Sequence, residues 1–205
     1  MTHTASFGKT LLCGSLLVGG ALNFAYAADL SAVPAGGYAV DPTHAYINFQ
    51  YNHLGLSNPT LSFDNFSVDL DLNNEDPTQS TFSVTIDPAS VVSGSEIWNE
   101  HLTSADWFNV EAHPEITFQS TAIEAAGDGA YKVTGDLNVK GESKPVTLDV
   151  TINAAMNHPM SGDPVIGLDG STTVLRSDFG LGKFAPNVSD EVQINLSVEM
   201  LKAGG

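Results

Sequence analysis

Residues Val192, Ile194, Leu196, Val198 and Met200 share one side of the C-terminal segment, while Gln193, Asn195, Ser197 and Glu199 share the other. A period of two is the signature of a half-buried β-strand. The same rhythm returns through most of the chain. Val146, Leu148, Val150 and Ile152 alternate with Thr147, Asp149, Thr151 and Asn153. Tyr131, Val133, Leu137 and Val139 form another apolar row, with Gly135 on the same face. Shorter rows are Ile47-Phe49-Tyr51, Phe82-Val84-Ile86, Ile116-Phe118 and Ile166-Leu168-Thr172-Val174. Between Leu61 and Leu72 the apolar phase switches near Asp64-Asn65, which predicts a bulge or sharp bend.

These rows amount to about eight strands, joined by turn signals at Asn73-Asn74, Gly127-Asp128-Gly129, Lys140-Gly141-Glu142 and Ser161-Gly162-Asp163. One apolar and one polar face per strand suits a sandwich or a closed barrel. Long strands with mostly short turns favour an all-β, up-and-down antiparallel barrel. About eight strands enclose a bore that side chains fill or that holds one slender ligand. One stretch, residues 88–114, breaks the rhythm between the third and fourth strands. Ser93 and Glu96 have the spacing of a capping box, and Ile97, Trp98, His101 and Leu102 then fall along one side of a short helix. Ser104 is placed to cap a further turn carrying Trp107 and Phe108. The segment reads as a helical lid over one end of the barrel, or as a helix that only seals the core.

Composition adds two constraints. Twenty-four acidic residues face seven basic ones, for a formal charge of −17, which disfavours nucleic acid and anionic surfaces as partners. The N-terminus looks like an address: Lys9, an apolar run from Leu11 to Leu22, and the small residues Ala25 and Ala27 around Tyr26. Residues 1–27 are expected to be a cleaved signal peptide, leaving 28–205 as one domain in the periplasm. Cys13 stands where the apolar run begins, whereas a lipoprotein cysteine would end it, so the expected mature chain contains no cysteine.

At this point several stretches resemble a known family. They are Tyr38-Ala39-Val40-Asp41-Pro42-Thr43-His44, His53, the run from His101 to Phe108, the run from His113 to Ser120, the run from Gly135 to Gly141, Pro145-Val146-Thr147-Leu148, Arg176-Ser177-Asp178-Phe179-Gly180, and Asp190-Glu191-Val192. In order and spacing they resemble the YceI-like family of exported, lipocalin-like polyisoprenoid-binding proteins. The resemblance implies a barrel with an apolar tunnel, a helical insertion midway, and a polyprenyl chain or isoprenoid quinone as ligand. It also implies roles linked to stress or membrane redox systems. Two departures stand out: Asn99-Glu100 replaces the family's usual Arg-Asp, and Ser143-Lys144 replaces Thr-Arg. The first removes a fixed cation beside the lid, and the second loses a planar guanidinium fork.

The expected tunnel lining is Ile47, Phe49, Tyr51, Phe82, Val84, Phe118, Val133, Leu148, Val150, Val174, Ile194 and Val198, with Trp98 and Trp107 on the lid. Arg176 shares the inward phase of Val174. A buried guanidinium needs an anion, and Asp178, Asp106 or Asp41 is the expected partner. Arg176 then acts as a structural latch or as a clamp on a ligand head group. His53 is in phase with Tyr51 and, with His101, is placed at the rim. His44 faces the other way, so no joint metal site is expected. Gly180 and Gly182 precede Pro186 in a connection beside the mouth. No Gly-x-Ser-x-Gly elbow or phosphate-cradling loop is found, so no catalytic residue, metal or separate cofactor is expected. Two other readings stay open: a lipid-modifying enzyme using the rim histidines, and a β-rich interaction module with a filled core. The expected partners are a long isoprenoid lipid and a transient membrane or membrane redox protein, with the chain as monomer or homodimer.

Overall fold

The strand-forming rows assemble in sequence order, each pairing with the one before it. A computed structural model describes residue 1 and residues 28–204 of the chain. The expected signal segment, including Cys13, lies outside the described residues apart from Met1. The elements are β1 (Gly36–His53), β2 (Thr60–Phe63), β3 (Phe66–Leu72), β4 (Thr81–Ile86), β5 (Val91–Val92), α1 (Glu96–Thr103), β6 (Ile116–Gly127), β7 (Ala130–Val139), β8 (Glu142–Asn157), β9 (Pro164–Leu175) and β10 (Val188–Lys202). Every neighbouring pair is antiparallel, and β10 pairs with β1 to close the sheet.

The closed wall has eight staves. β2 and β3 are two halves of one strand bent at Asp64-Asn65, where the phase switch predicted a bend. The N-terminal half of β1 pairs with β3 and its C-terminal half with β2. β5 is a two-residue edge on β2. Tight turns join β6 to β7 and β7 to β8. Lys140 (φ 53°) and Gly141 (φ 82°) make a two-residue link between β7 and β8, a turn whose two positive φ values suit the right-handed twist of the strands.

The bend shapes the barrel's two ends differently. Below it, β3 stays bonded to β4 from Phe66–Ile86 to Asp71–Thr81, and the wall is continuous. Above it, β2 turns away from β4, and β5, α1 and the segment after α1 occupy the gap. At the lower end a short 3-10 turn, Leu30–Ala32, buries Leu30 and Val33 against the core. The Asn74 side chain donates to the Val33 carbonyl at 2.9 Å and holds that turn in place. Midway along the bore the tip of the Phe118 ring lies against Gly135. A Cβ at Gly135 would stand only 2.5 Å from Phe118 Cζ, so glycine is what lets the ring lie there.

Candidate functional site

The inner faces of the strands enclose a cavity of about 510 Å3 in the upper half of the barrel. Small-molecule sites commonly occupy roughly 300–1,000 Å3. Of the residues expected from sequence, Ile47, Phe49, Tyr51, His53, Val84, Trp98, Trp107, Phe118, Leu148, Val174, Arg176 and Ile194 line it. Phe82, Val133 and Val150 do not. They face a separate void of about 40 Å3 at the lower end. Val198 is buried in the core and borders neither space. His101 is exposed on α1, with its ring 5.8 Å from that of Trp98 but outside the cavity. The two rim histidines are therefore not presented to the cavity together. His53 is exposed and also lines the cavity, so the void reaches the surface beside the C-terminal end of β1.

The lining also includes residues not expected from sequence. Phe63, Leu102, Phe108, Leu137, Val146 and Phe184 all border the cavity. Phe63 shares its face of β2 with buried Leu61, so the alternation held that signal. Phe184 lies in the loop after β9, where no periodicity marks an inward face.

An aromatic cluster forms the roof. Phe49 stacks on Phe63 at 5.2 Å, and Phe108 meets both edge-on at 6.3 and 5.7 Å. Trp98 packs edge-on against Trp107 at 5.7 Å, and Trp107 continues to Phe184 at 6.5 Å. The helix uses a narrower face than expected: Trp98 and Leu102, one turn apart, point down, whereas Ile97 is 72% exposed. Ile97 sits about a hundred degrees round the helix from Trp98, which carries it off the buried stripe. The capping box also resolves differently. Ser95 is the N-cap and makes no side-chain cap bond. Ser93 instead donates its hydroxyl and its backbone N–H to Asn99 Oδ1, at 2.6 and 2.9 Å. Ser104 does not cap a following turn with its side chain; its hydroxyl donates back to the His101 carbonyl at 2.6 Å.

Arg176 is only 7% exposed, and it is satisfied in a way the sequence reading did not foresee. No carboxylate pairs with it. Nε donates to the Ser189 carbonyl at 2.8 Å, Nη2 to Val188 at 2.9 Å, and Nη1 to Lys183 at 2.9 Å and to Leu181. The three carboxylates expected to serve it are elsewhere. Asp106 binds Lys183 at 2.7 Å, Asp178 is exposed, and Asp41 is at the lower end with His44. The physical reason is local. Gly180 (φ 69°) reverses the chain, and the following loop wraps its carbonyl dipoles round the cation. Burial pushes the guanidinium pKa down, while Asp190 and Tyr51 pull the other way. A guanidinium has five N–H groups, so one is left over beside the cavity. Nearby, Asp190 accepts from the Ser177 backbone N–H and hydroxyl, at 2.9 and 2.6 Å. The Arg176 Cζ stands 6.0 Å from the Trp107 ring centre, so loop and roof meet at this residue.

Among the described residues lining the cavity there is no carboxylate; its polar side chains include Tyr51, His53, Thr172 and Arg176. The one cluster of metal-ligating type among the described residues is elsewhere: Asp41, His44 and Glu199, on the outside of the wall. It forms where β1 bulges between Val40 and Ala45 opposite β10. His44 Nδ1 lies 3.0 Å from Asp41 and 4.0 Å from Glu199. His44 is exposed and does not border the cavity that His53 lines. The Asp41-Pro42-Thr43-His44 spacing carried the Asp41 contact, but only the register with β10 brings Glu199 to it.

A closed antiparallel barrel with an apolar, mouth-accessible cavity under a helical roof defines a lipocalin-like class. Within it, the YceI-like domain family matches residues 38–200, and the chain belongs to that family. A UPF0312 protein of Ectopseudomonas mendocina is 34% identical over 194 residues, covering 94% of this chain and 95% of that one. One from Pseudomonas aeruginosa is 34% identical and covers 82% and 88%. Among solved structures, BcnA of Burkholderia cenocepacia is similar at a TM-score of 0.70 and 30% identity, covering 78% of this chain and 98% of that one. A Campylobacter jejuni YceI protein gives 0.68 and 28%, covering 74% and 89%. A polyisoprenoid binding domain from Saccharophagus degradans shares the fold at 0.60 and 14% identity, covering 82% and 99%.

Proposed function

We propose that this protein holds a polyisoprenoid or isoprenoid-quinone-type lipid non-covalently, as a periplasmic carrier or store. The observation that carries this reading is the cavity of about 510 Å3, apolar on nearly every side and reaching the surface at His53. Burying each methylene of a ligand there is worth about 0.8 kcal/mol, so a branched hydrocarbon tail binds through area alone. Tyr51, His53 and the remaining Arg176 N–H supply the few polar contacts a quinone or phosphate head group uses. Binding requires no bond making, and the protein acts as a carrier rather than a catalyst. The fold it shares with a polyisoprenoid binding domain supports the same ligand class. The leader-like pattern of residues 1–27 supports a periplasmic location, where a water-insoluble lipid needs a soluble shell to move between membranes.

Native mass spectrometry of gently purified protein, followed by organic extraction, tests this directly. The expected result is an adduct that releases an isoprenoid lipid. Protein that emerges lipid-free and takes up no added isoprenoid would sink the proposal.

A further inference from the structure

The rim of the cavity has a surface unlike the rest of the molecule. Leu54 and Leu56, at the tip of the hairpin between β1 and β2, are 52% and 81% exposed; Phe184, in the loop before β10, is 59% exposed. They form one patch. Leu54 N–H donates to the Asn187 carbonyl at 3.1 Å, and Val188 N–H to the Phe184 carbonyl at 3.0 Å, so hairpin and loop are bonded side by side. Phe184 also lines the cavity, which makes the patch continuous with the bore. Met156 and Met160, also exposed, lie at the opposite end.

Two further observations set this rim apart. The first is charge. In a chain of net charge −17, no acidic residue occurs between Asp41 and Asp64 or between Asp178 and Asp190. The acids of the mouth end stand around these stretches instead: Glu96, Glu100 and Asp106 on the helical side, and Asp178, Asp190 and Glu191 at the two ends of the Phe184 loop, with Asp106 paired to Lys183 and Asp190 to Ser177. The second is backbone conformation. Leu54 (φ 58°) and Phe184 (φ 68°) adopt the left-handed region that bulky side chains avoid, and they are the only large apolar residues among the described non-glycine residues that do so. Strained backbone is commonly kept where function requires it. Here it accompanies greasy side chains held out into water on both sides of the opening.

We infer that this rim docks on the surface of a neutral lipid bilayer, with Leu54, Leu56 and Phe184 entering the headgroup layer and the bore opening toward the acyl chains. The inference rests on the lipid-holding reading, because it describes how such a ligand enters without crossing water. The acidic remainder of the surface repels anionic lipid, so only the acid-free side of the mouth can approach a membrane. Docking is therefore strongest on neutral lipid and weakens as anionic lipid is added, the reverse of a polybasic membrane protein.

Flotation with vesicles of phosphatidylcholine, alone or mixed with phosphatidylglycerol, tests this on protein recovered from cells expressing the full chain. The comparison is with the Leu54→Asp/Leu56→Asp double variant, whose changed side chains do not border the cavity. The expected result is binding to neutral vesicles that falls on adding phosphatidylglycerol and is at least about tenfold weaker in the variant. Affinity for geranylgeraniol dispersed from ethanol stays unchanged. Equal vesicle binding by both proteins, or none by either, overturns the docking surface. A concentration-dependent dimer that the variant abolishes, without vesicle binding, also overturns it and assigns the rim to a second copy of the chain. Vesicle binding with no uptake of geranylgeraniol leaves the docking surface standing and removes the lipid-holding function.

Discussion

Leu148 and Val150 sit two residues apart on the inner face of β8, yet they border different spaces: the large upper cavity and the small lower void. Both halves of the barrel are built by the same alternation, and only one is hollow. In the lower half Leu30, Phe82, Tyr131, Ile152 and Leu168 converge on the axis and leave about 40 Å3. In the upper half the bend at Asp64-Asn65 moves β2 off β4, and α1 covers the opening without filling it. Inward direction is a local property of each strand. Whether facing side chains meet depends on the width of the wall.

The largest effect that separates the two halves is expected at Arg176, which ties the mouth loop to the wall. Arg176→Met leaves the Leu181, Lys183, Val188 and Ser189 carbonyls without their donor and should cost about 3 kcal/mol or more in urea denaturation. A variant that melts normally but loses its lipid would instead make Arg176 a head-group clamp. A matched pair comes next. Val150→Phe has little room, because Val150 is buried against a void of only about 40 Å3; overpacking should cost about 1–3 kcal/mol. Leu148→Phe extends into the cavity, so stability should change by less than about 1 kcal/mol while extractable lipid falls. Equal destabilisation by the two would mean that the upper half is as full as the lower.

The smallest effect lies outside the wall at the lower end. Hydrogen bonding to Asp41, and the charge of Glu199, raise the His44 pKa above its ordinary 6.5. Hydrogen bonds from His44 and Thr43 hold Asp41 down at about 2. A raised histidine stabilises the fold most below pH 6.5 and loses that contribution as pH rises through its folded pKa. A lowered carboxylate contributes above pH 3.8 and loses it as pH falls toward about 2. The contact should therefore be strongest between those two ordinary values, and because both groups are exposed its energy should be small. An NMR titration of the His44 ring that returns an ordinary midpoint would remove it.

How much of this was legible in the sequence varies with the range of the interaction. The staves were readable because Val192 to Met200 and Val146 to Ile152 carry their inward face in their own alternation. The bend was readable because Leu61 and Phe63 are out of phase with Val68 and Leu70. The division of the bore was not, since Phe82, Val133 and Val150 have the same pattern as the residues lining the cavity. The partners of Arg176 were missed for another reason. The sequence displays carboxylates, but not the backbone carbonyls that a loop can turn inward.

The whole chain contains two tryptophans, and both Trp98 and Trp107 line the cavity from the roof. The indole emission of the protein therefore arises at the entrance alone. Filling or emptying the bore should change its colour and intensity, so a plain fluorimeter can follow loading in real time without any attached dye.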